Sequence, residues 1–243
     1  MNITRYRRTA LAALTLTVAA LTSGCWIQPP EAAPFGPHTP TVTDSGPGPV
    51  TEPSVVIAAD SLGAWAQTAV KAHLSQIGST VPWSYNALAG TQVDHWLPLM
   101  ENRCTPGAPV DNCIPADHVT FIGELLTNDV SNQVFADLAP DLHAALTALA
   151  DVDCVVWLTL NIEGGDMRPW PYNTRTRMVN DELLRLDADE VTYPNFHLVR
   201  WDQISDGHPE YLNLINNDPI HYSDPGNEAF ADVVAHAPEA CTS

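Results

Sequence analysis

Hydrophobic and polar positions follow two different rhythms between residues 54 and 243. Short apolar runs rich in Val and Ile are typical of buried strands, and longer segments with apolar residues every three or four positions are typical of helices. The short runs predict strands at residues 54–59, 81–89, 118–125, 154–160 and 196–201. The longer segments predict helices at residues 63–77, 94–100, 131–150, 174–186 and 224–237, with Pro140 inside the third. This alternation predicts an α/β fold in which a five-stranded, mostly parallel sheet carries helices on both faces.

The N-terminal residues have the features of an export signal. Three arginines within residues 5–8 precede an apolar run, residues 10–21, that is too short to span a bilayer as a helix. The sequence Ser23-Gly24-Cys25 follows, and it resembles the lipobox of bacterial lipoproteins, in which the cysteine is lipidated. We therefore expect a signal peptide at residues 1–24. The mature protein is expected to be exported and lipid-anchored through Cys25 to the outer face of the cell membrane, or else secreted.

Residues 25–53 are rich in Pro, Gly and Thr and have no core-forming period, which predicts a disordered tether. The folded domain is therefore expected at residues 54–243. The chain has 29 acidic and 10 basic residues, a net charge of −19. Such an acidic surface argues against nucleic acid as a partner, so the lipid anchor is the only membrane contact that we expect. We also expect a monomer.

The chain has five cysteines, an odd number for an exported protein. If Cys25 carries lipid, four remain for two disulfides in an oxidising exterior. Three pairings are open, and the turn-rich loop between Cys104 and Cys113 favours that pair together with Cys154–Cys241. Metal binding is the alternative, but there is no Cys-x-x-Cys and no His at zinc-finger spacing, so we expect no metal.

Polar residues follow the predicted strands where the carboxyl ends of parallel strands share one edge of a sheet. They are Ser61, Gly90, Asn128 and the pair Asp218 and His221. An imidazole can take the proton of a serine hydroxyl, and a carboxylate can orient that imidazole. The N–H groups of Ser61 and Gly90 and the Asn128 side chain are three donors for an oxyanion. The alternative at the first strand is that Asp60 or Ser61 merely caps the following helix.

Four segments in this order resemble the four blocks of the SGNH (GDSL-like) hydrolase family: Asp60-Ser61-Leu62, Gly90, Thr127-Asn128-Asp129 and Asp218-Pro219-Ile220-His221. The resemblance implies a flavodoxin-like, three-layer α/β/α sandwich that hydrolyses acyl or O-acetyl esters of small molecules or glycans. It implies Ser61 as nucleophile, His221 as base and Asp218 as its partner. It implies an oxyanion hole of Ser61, Gly90 and Asn128, and no metal or cofactor.

The sequence departs from the family at two positions that usually hold glycine, here Ala59 and Leu126. The bulk of Leu126 is expected to narrow the site or reshape an acyl pocket. Three alternatives therefore stay open: an acyltransferase with the same triad, a weakly active or inactive domain that binds an envelope glycan or protein, and a structural envelope domain. Asp60 is expected to anchor the Ser61 loop, Asp129 to cap a helix or turn, and the tryptophans to pack in the core or at its rim.

Overall fold

The computed structural model describes residues 44–45, 54–77, 83–104, 113–115, 119–132, 135–163 and 172–242. The chain divides into a unit of residues 1–35 and a unit of residues 36–243, and every described residue belongs to the second unit. The predicted signal peptide, Cys25 and all of the predicted tether except Asp44 and Ser45 lie outside the described residues.

The described strands form one sheet in which five strands are parallel and a sixth, very short strand is antiparallel at one edge. They are β1 (Asp44–Ser45), β2 (Val55–Ala59), β3 (Trp83–Ala87), β4 (Thr120–Glu124), β5 (Cys154–Leu158) and β6 (Phe196–Val199). Their spatial order is β1-β3-β2-β4-β5-β6. The chain therefore steps from β2 to one side and then to the other, as in flavodoxin-like sheets. The carboxyl ends of β2 and β4 flank the resulting switch point, where such folds bind ligands.

The α-helices that connect and follow the strands are α1 (Ser61–Ile77), α2 (Val93–Glu101), α3 (Thr127–Asn132), α4 (Phe135–Ala148), α5 (Tyr172–Asp187), α6 (Trp201–Ile204) and α7 (Asp224–His236). Short 3₁₀ helices cover Pro209–Tyr211, Leu214–Asn216 and Ala237–Thr242.

Helices cover both faces of the sheet because successive strand residues point to opposite sides. In β2, Val56 and Ala58 join a core cluster with α2, α4 and α5, whereas Val55 and Ile57 join a second cluster with α1 and α7. All five residues of β2 are buried, as expected of a strand covered on both faces. The three-layer α/β/α sandwich predicted from the sequence is therefore confirmed.

Most element boundaries shift by one or two residues from the sequence predictions, and three differences have a structural reason or consequence. Helix α1 begins at Ser61 rather than at residue 63, because Asp60 supplies its N-terminal cap. The helix predicted at residues 131–150 is two helices, α3 and α4, and Pro140 lies inside α4 rather than at the break. Asp44 and Ser45, assigned to the tether, pair with the edge strand β3, whose outer backbone groups are otherwise open to an extended segment.

Two disulfides join the cysteine pairs favoured by the sequence. Cys104 bonds to Cys113, and Cys154 bonds to Cys241. The second bond ties the first residue of the inner strand β5 to the C-terminal 3₁₀ helix. The C-terminal segment is thereby covalently linked to a strand that has neighbours on both sides.

Candidate active site

Ser61 is the first residue of α1 and directly follows the turn that leaves β2. Two carboxyl groups satisfy the next two N–H groups of the helix: Leu62 N–H donates to Asp60 Oδ1 at 3.0 Å and Gly63 N–H to Glu124 Oε2 at 3.1 Å. No described residue accepts a hydrogen bond from the Ser61 N–H. Asp60 is therefore the residue that caps α1, and neither the hydroxyl nor the N–H of Ser61 is used in capping.

His221 approaches Ser61 from the loop before α7, 160 residues further along the chain. Its Nε2 lies 3.1 Å from Ser61 Oγ, and its Nδ1 lies 2.8 Å from Asp218 Oδ2. The other oxygen of Asp218 accepts the backbone N–H groups of Ile220 and His221 at 3.0 and 3.1 Å. Partial burial raises the pKa of Asp218, but these donors and the imidazole outweigh it and hold the pKa below its ordinary value. The Asp218 carboxylate is thus charged and held within hydrogen-bonding distance of His221 Nδ1.

A close packing contact holds the loop that carries this pair against α7. Ser223 caps α7, its hydroxyl accepting from Gly226 N–H at 3.2 Å, and its own N–H donates to Tyr211 O at 2.9 Å. A Cβ on Gly226 would lie 2.0 Å from the Tyr211 carbonyl oxygen, so only glycine allows this approach. Further up the loop, Asn213 N–H donates to His221 O at 2.9 Å. Backbone hydrogen bonds at His221 and at Ser223 therefore fix the segment that carries the imidazole.

The side chain of Trp65 covers one face of the His221 ring. The two rings stack with centroids 4.2 Å apart and planes inclined by 14°. Trp65 is nevertheless 53% exposed, which is high for so large an apolar residue. Of the two positions expected for the tryptophans, Trp65 therefore lies at the rim and not in the core. Its position four residues after Ser61, on the same side of α1, was the signal in the sequence.

Two buried carboxyl groups lie directly behind Ser61. Asp60 and Glu124 are both almost inaccessible, and each binds an N–H of α1. Burial raises the pKa of Asp60 to about 6 against the opposing effect of its N–H donors. Burial and the nearby Asp60 together raise the pKa of Glu124 well above its ordinary value. Asp60 also accepts Thr127 N–H at 3.1 Å, so it anchors the Ser61 loop as predicted.

The loops that carry Gly90 and Asn128 meet beside this network. Asn128 Nδ2 donates to Thr91 O at 3.0 Å, and Leu88 N–H donates to Ala59 O at 3.1 Å. Gly90 has a φ of 81°, in the left-handed region that favours glycine. A carboxamide has two N–H donors, so Asn128 retains one beyond its bond to Thr91. The bonds that tie these loops together join the three strand ends at which Ser61, Gly90 and Asn128 lie.

Asp129 caps a helix, in line with the sequence expectation. Both of its carboxylate oxygens accept from the N–H of Val93, the first residue of α2, at 3.2 Å. Burial raises the pKa of Asp129 to about 7. Its role is therefore structural, since it holds the N-terminus of α2 against the start of α3.

The two departures from the family pattern lie at points of close packing. Leu126 has a φ of 89°, rare for a residue with a side chain, and its side chain is fully buried in the core. The Leu126 side chain therefore packs in the core, and its effect on the site or on an acyl pocket stays a prediction. Ala59 faces Gly63, where a Cβ would lie only 2.3 Å from the Ala59 Cβ. The absence of a side chain at Gly63 makes room for the methyl group of Ala59.

The described residues contain no group of three His, Cys, Asp or Glu side chains placed to hold a metal ion. None of the helices in the described ranges has the length and hydrophobicity needed to cross a membrane.

No protein-family profile and no curated protein sequence matches this chain. Solved structures do match. The C-terminal catalytic domain of peptidoglycan O-acetyltransferase A from Streptococcus pneumoniae superposes with a TM-score of 0.59 and 17% identity, covering 79% of this chain and 95% of that domain. A putative acylhydrolase from Bacteroides fragilis gives 0.52 and 16%, covering 76% and 86%. A GDSL-like lipase from Bacteroides thetaiotaomicron gives 0.51 and 16%, covering 76% and 87%. This chain therefore shares its fold with these acetyltransferase, acylhydrolase and lipase structures, and it is the three-layer fold that the sequence resemblance predicts.

Proposed function

We propose that this protein is a serine ester hydrolase of the SGNH type, with Ser61 as nucleophile, His221 as general base and Asp218 as its orienting carboxylate. One observation carries the proposal: the hydrogen-bonded chain from Ser61 Oγ to His221 Nε2, at 3.1 Å, and from His221 Nδ1 to Asp218, at 2.8 Å. Each distance is within reach for direct proton transfer or orientation. The fold shared with acylhydrolases supports the same reaction class.

The proposed reaction has two steps. His221 takes the proton of Ser61 as the hydroxyl oxygen attacks the ester carbonyl, and the imidazolium then returns the proton to the departing alcohol. In the second step water attacks the acyl-enzyme as His221 takes its proton, and the imidazolium then protonates Ser61 Oγ as the carboxylic acid is released. Asp218 accepts from Nδ1 throughout, so the imidazole keeps the tautomer whose Nε2 can accept a proton.

The oxyanion of each tetrahedral intermediate needs donors. The proposed set is the unpaired N–H of Ser61, the N–H of Gly90 and the side chain of Asn128. The position of Ser61 at the N-terminus of α1 supports this set, because the helix dipole favours negative charge there. Replacing Asn128 with Ala should lower kcat by about 10²-fold or more with little change in KM, as the loss of one such donor generally does.

Acyl transfer is the second candidate function. It is favoured by the fold match to a domain named as a peptidoglycan O-acetyltransferase. The same triad serves both reactions, and only the acceptor of the acyl group differs. A transferase would form acylated alcohol in the presence of a sugar acceptor faster than it releases free acid.

We also propose export and lipid attachment at Cys25. The arginines and apolar run of residues 1–24 support it, and so do two disulfides, which persist in oxidising compartments. Labelling cells with an alkyne-tagged fatty acid should mark the protein, and the Cys25→Ser variant should lose the label. Equal labelling of the variant would refute attachment at this residue.

The catalytic proposal is tested with nitrophenyl esters of short and medium acyl chains and a fluorophosphonate probe. Ser61→Ala should abolish both hydrolysis and labelling. Asp218→Asn should retain the fold but lose roughly 10⁴-fold in kcat, the cost expected when the imidazole tautomer is no longer fixed. Hydrolysis that survives in Ser61→Ala would refute the mechanism. A folded parent protein that shows neither hydrolysis nor labelling would favour the glycan- or protein-binding alternative.

A further inference from the structure

The exposed indole of Trp65 has a second face that the candidate triad does not use. One face stacks on His221, yet 53% of the residue is accessible to solvent. The exposed part of the indole is available to a ligand. Trp65 also lines a cavity, so the same side chain borders both the triad and a separate space.

This cavity has a volume of about 470 Å³ and lies between α1, the 3₁₀ helix Leu214–Asn216 and the start of α7. Its size is that of a small-ligand pocket. Besides Trp65, its lining includes three carboxamide side chains and one carboxylate: Asn213, Asn216, Asn227 and Asp224. None of the described residues that line it is Lys or Arg.

The lining carries several groups able to bond hydroxyls. Asn216 Nδ2 donates to Asn213 Oδ1 at 2.7 Å, which fixes the two amides relative to each other and leaves further donor and acceptor capacity on each. Asn227 Oδ1 is buried and accepts no hydrogen bond from the described residues. The Nδ2 group of the same carboxamide carries two N–H donors, which adds to the hydrogen-bonding capacity of the lining.

From this lining we infer that the cavity is a subsite for a neutral sugar ring of the substrate, stacked on the open face of Trp65; the inference rests on the proposed ester hydrolase function. The apolar C–H face of a sugar ring matches an aromatic face, and its hydroxyls match carboxamides, which both donate and accept. A fatty acyl chain would offer no donor or acceptor to the remaining hydrogen-bonding capacity of the three carboxamides. A phosphorylated or carboxylated glycan would meet Asp224 and the acidic surface of the whole chain without a cation to offset them.

The inferred stacking places the sugar ring on the face of the indole that points away from His221. His221 occupies one face of the indole, so a ring on the other face is separated from the triad by the thickness of Trp65. Such a ring does not carry the scissile ester; a neighbouring unit does. The substrate class is therefore an O-acylated oligosaccharide or polysaccharide, rather than an ester of a single sugar or a lipid.

Binding is measured with the Ser61→Ala protein, so that no turnover occurs and the result does not depend on catalysis. The probes are the tetramers of N-acetylglucosamine, xylose, glucose and mannose. Their binding is measured by titration calorimetry and by tryptophan fluorescence. At least one tetramer should reach saturation at concentrations up to about 10 mM, which is enough to saturate a weak site with a Kd of about 1 mM. A second substitution, Trp65→Ala, should weaken binding by about three- to tenfold, as expected for one aromatic contact. Asn216→Ala should weaken binding too.

Met178 provides the matched control, since it is 42% exposed on α5 and Met178→Ala should leave binding unchanged. No saturable binding of any tetramer, or equal binding after Trp65→Ala, would overturn the inference. Competition for the site by decanoate instead of sugars would overturn it in favour of an acyl pocket. If the tetramers bind but the parent protein hydrolyses no ester, the proposed function fails and the sugar subsite stands. If the parent protein hydrolyses nitrophenyl acetate but no tetramer binds, the proposed function stands and the sugar subsite fails.

Discussion

The contact between Ala59 and Gly63 predicts a strong energetic coupling between the two positions. In Gly63→Ala, the new Cβ would lie 2.3 Å from Ala59 Cβ and 3.0 Å from Tyr85 Oη. Carbon atoms in contact prefer about 3.5–4.0 Å, so more than 1 Å must be opened at the start of α1. Overpacking of this kind costs about 1–3 kcal/mol, and the gain from replacing a helical glycine recovers at most about 1 kcal/mol.

Removing the opposing methyl group should reverse most of this cost. Ala59→Gly alone is expected to destabilise by about 0.5–1 kcal/mol, since glycine weakens a strand. In the Gly63→Ala background it should instead stabilise the protein, with an interaction free energy of about 1–2 kcal/mol, within the range found for residues in contact. Recovery should be incomplete because the contact with Tyr85 remains.

Urea unfolding of the parent, both single variants and the double variant measures the coupling. Hydrolysis of nitrophenyl acetate gives a second readout, because Ser61 lies two residues before Gly63 and a displacement of about 1 Å can cost 10²-fold in rate. Gly207→Ala is the control: nothing lies within 4 Å of a Cβ there, so it should not couple to Ala59. Additive free energies within about 0.5 kcal/mol for the Ala59 and Gly63 pair would refute the packing argument.

Two further predictions concern pH and cross-linking. The folded pKa of Asp129 is about 7 against an ordinary 3.8, so the folded state binds more protons between these values and the free energy of unfolding falls as pH rises through the window. Asp129→Asn should remove this fall, so its stability relative to the parent should rise from pH about 4 to about 7 in urea unfolding; a constant difference would refute the assignment. Replacing Cys154 and Cys241 with Ser should cost more than replacing Cys104 and Cys113, about 5 against about 3 kcal/mol, because the closed loops differ in length, 87 against 9 residues of separation. Equal losses in Tm would contradict this ranking.

The parallel sheet could be predicted from the chain pattern, and the convergence of Ser61 with His221 from that sheet together with the family resemblance. Strands that alternate with helices lead to a parallel sheet, and the carboxyl ends of its strands share one edge. The segment from Asp218 to His221 precedes a helix with Pro225 in its first turn, which indicated where the base lies. These inferences need only local pattern, topology and the family resemblance.

The remaining features depend on three-dimensional packing that no local pattern encodes. The stacking of Trp65 on His221 joins residues far apart in the chain, and the spacing from Ser61 to Trp65 indicated only a shared side of α1. Glu124 ends an otherwise apolar strand, an unusual position for a charge, but its partner Gly63 N–H is 61 residues away. The positive φ of Leu126 is visible only once the turn after β4 is traced.

The separation of the candidate nucleophile from its base has a consequence for the order in which the protein matures. Ser61 and His221 are 160 residues apart in the sequence, near opposite ends of the domain's chain, although their side chains are in contact. The Cys154–Cys241 bond links the segment that follows His221 to β5. A nascent or truncated chain can complete most of the sheet and still lack the imidazole. Esterase activity would then report the completed fold, and a chain still being synthesised or translocated would be unable to cleave esters before its last helix docks.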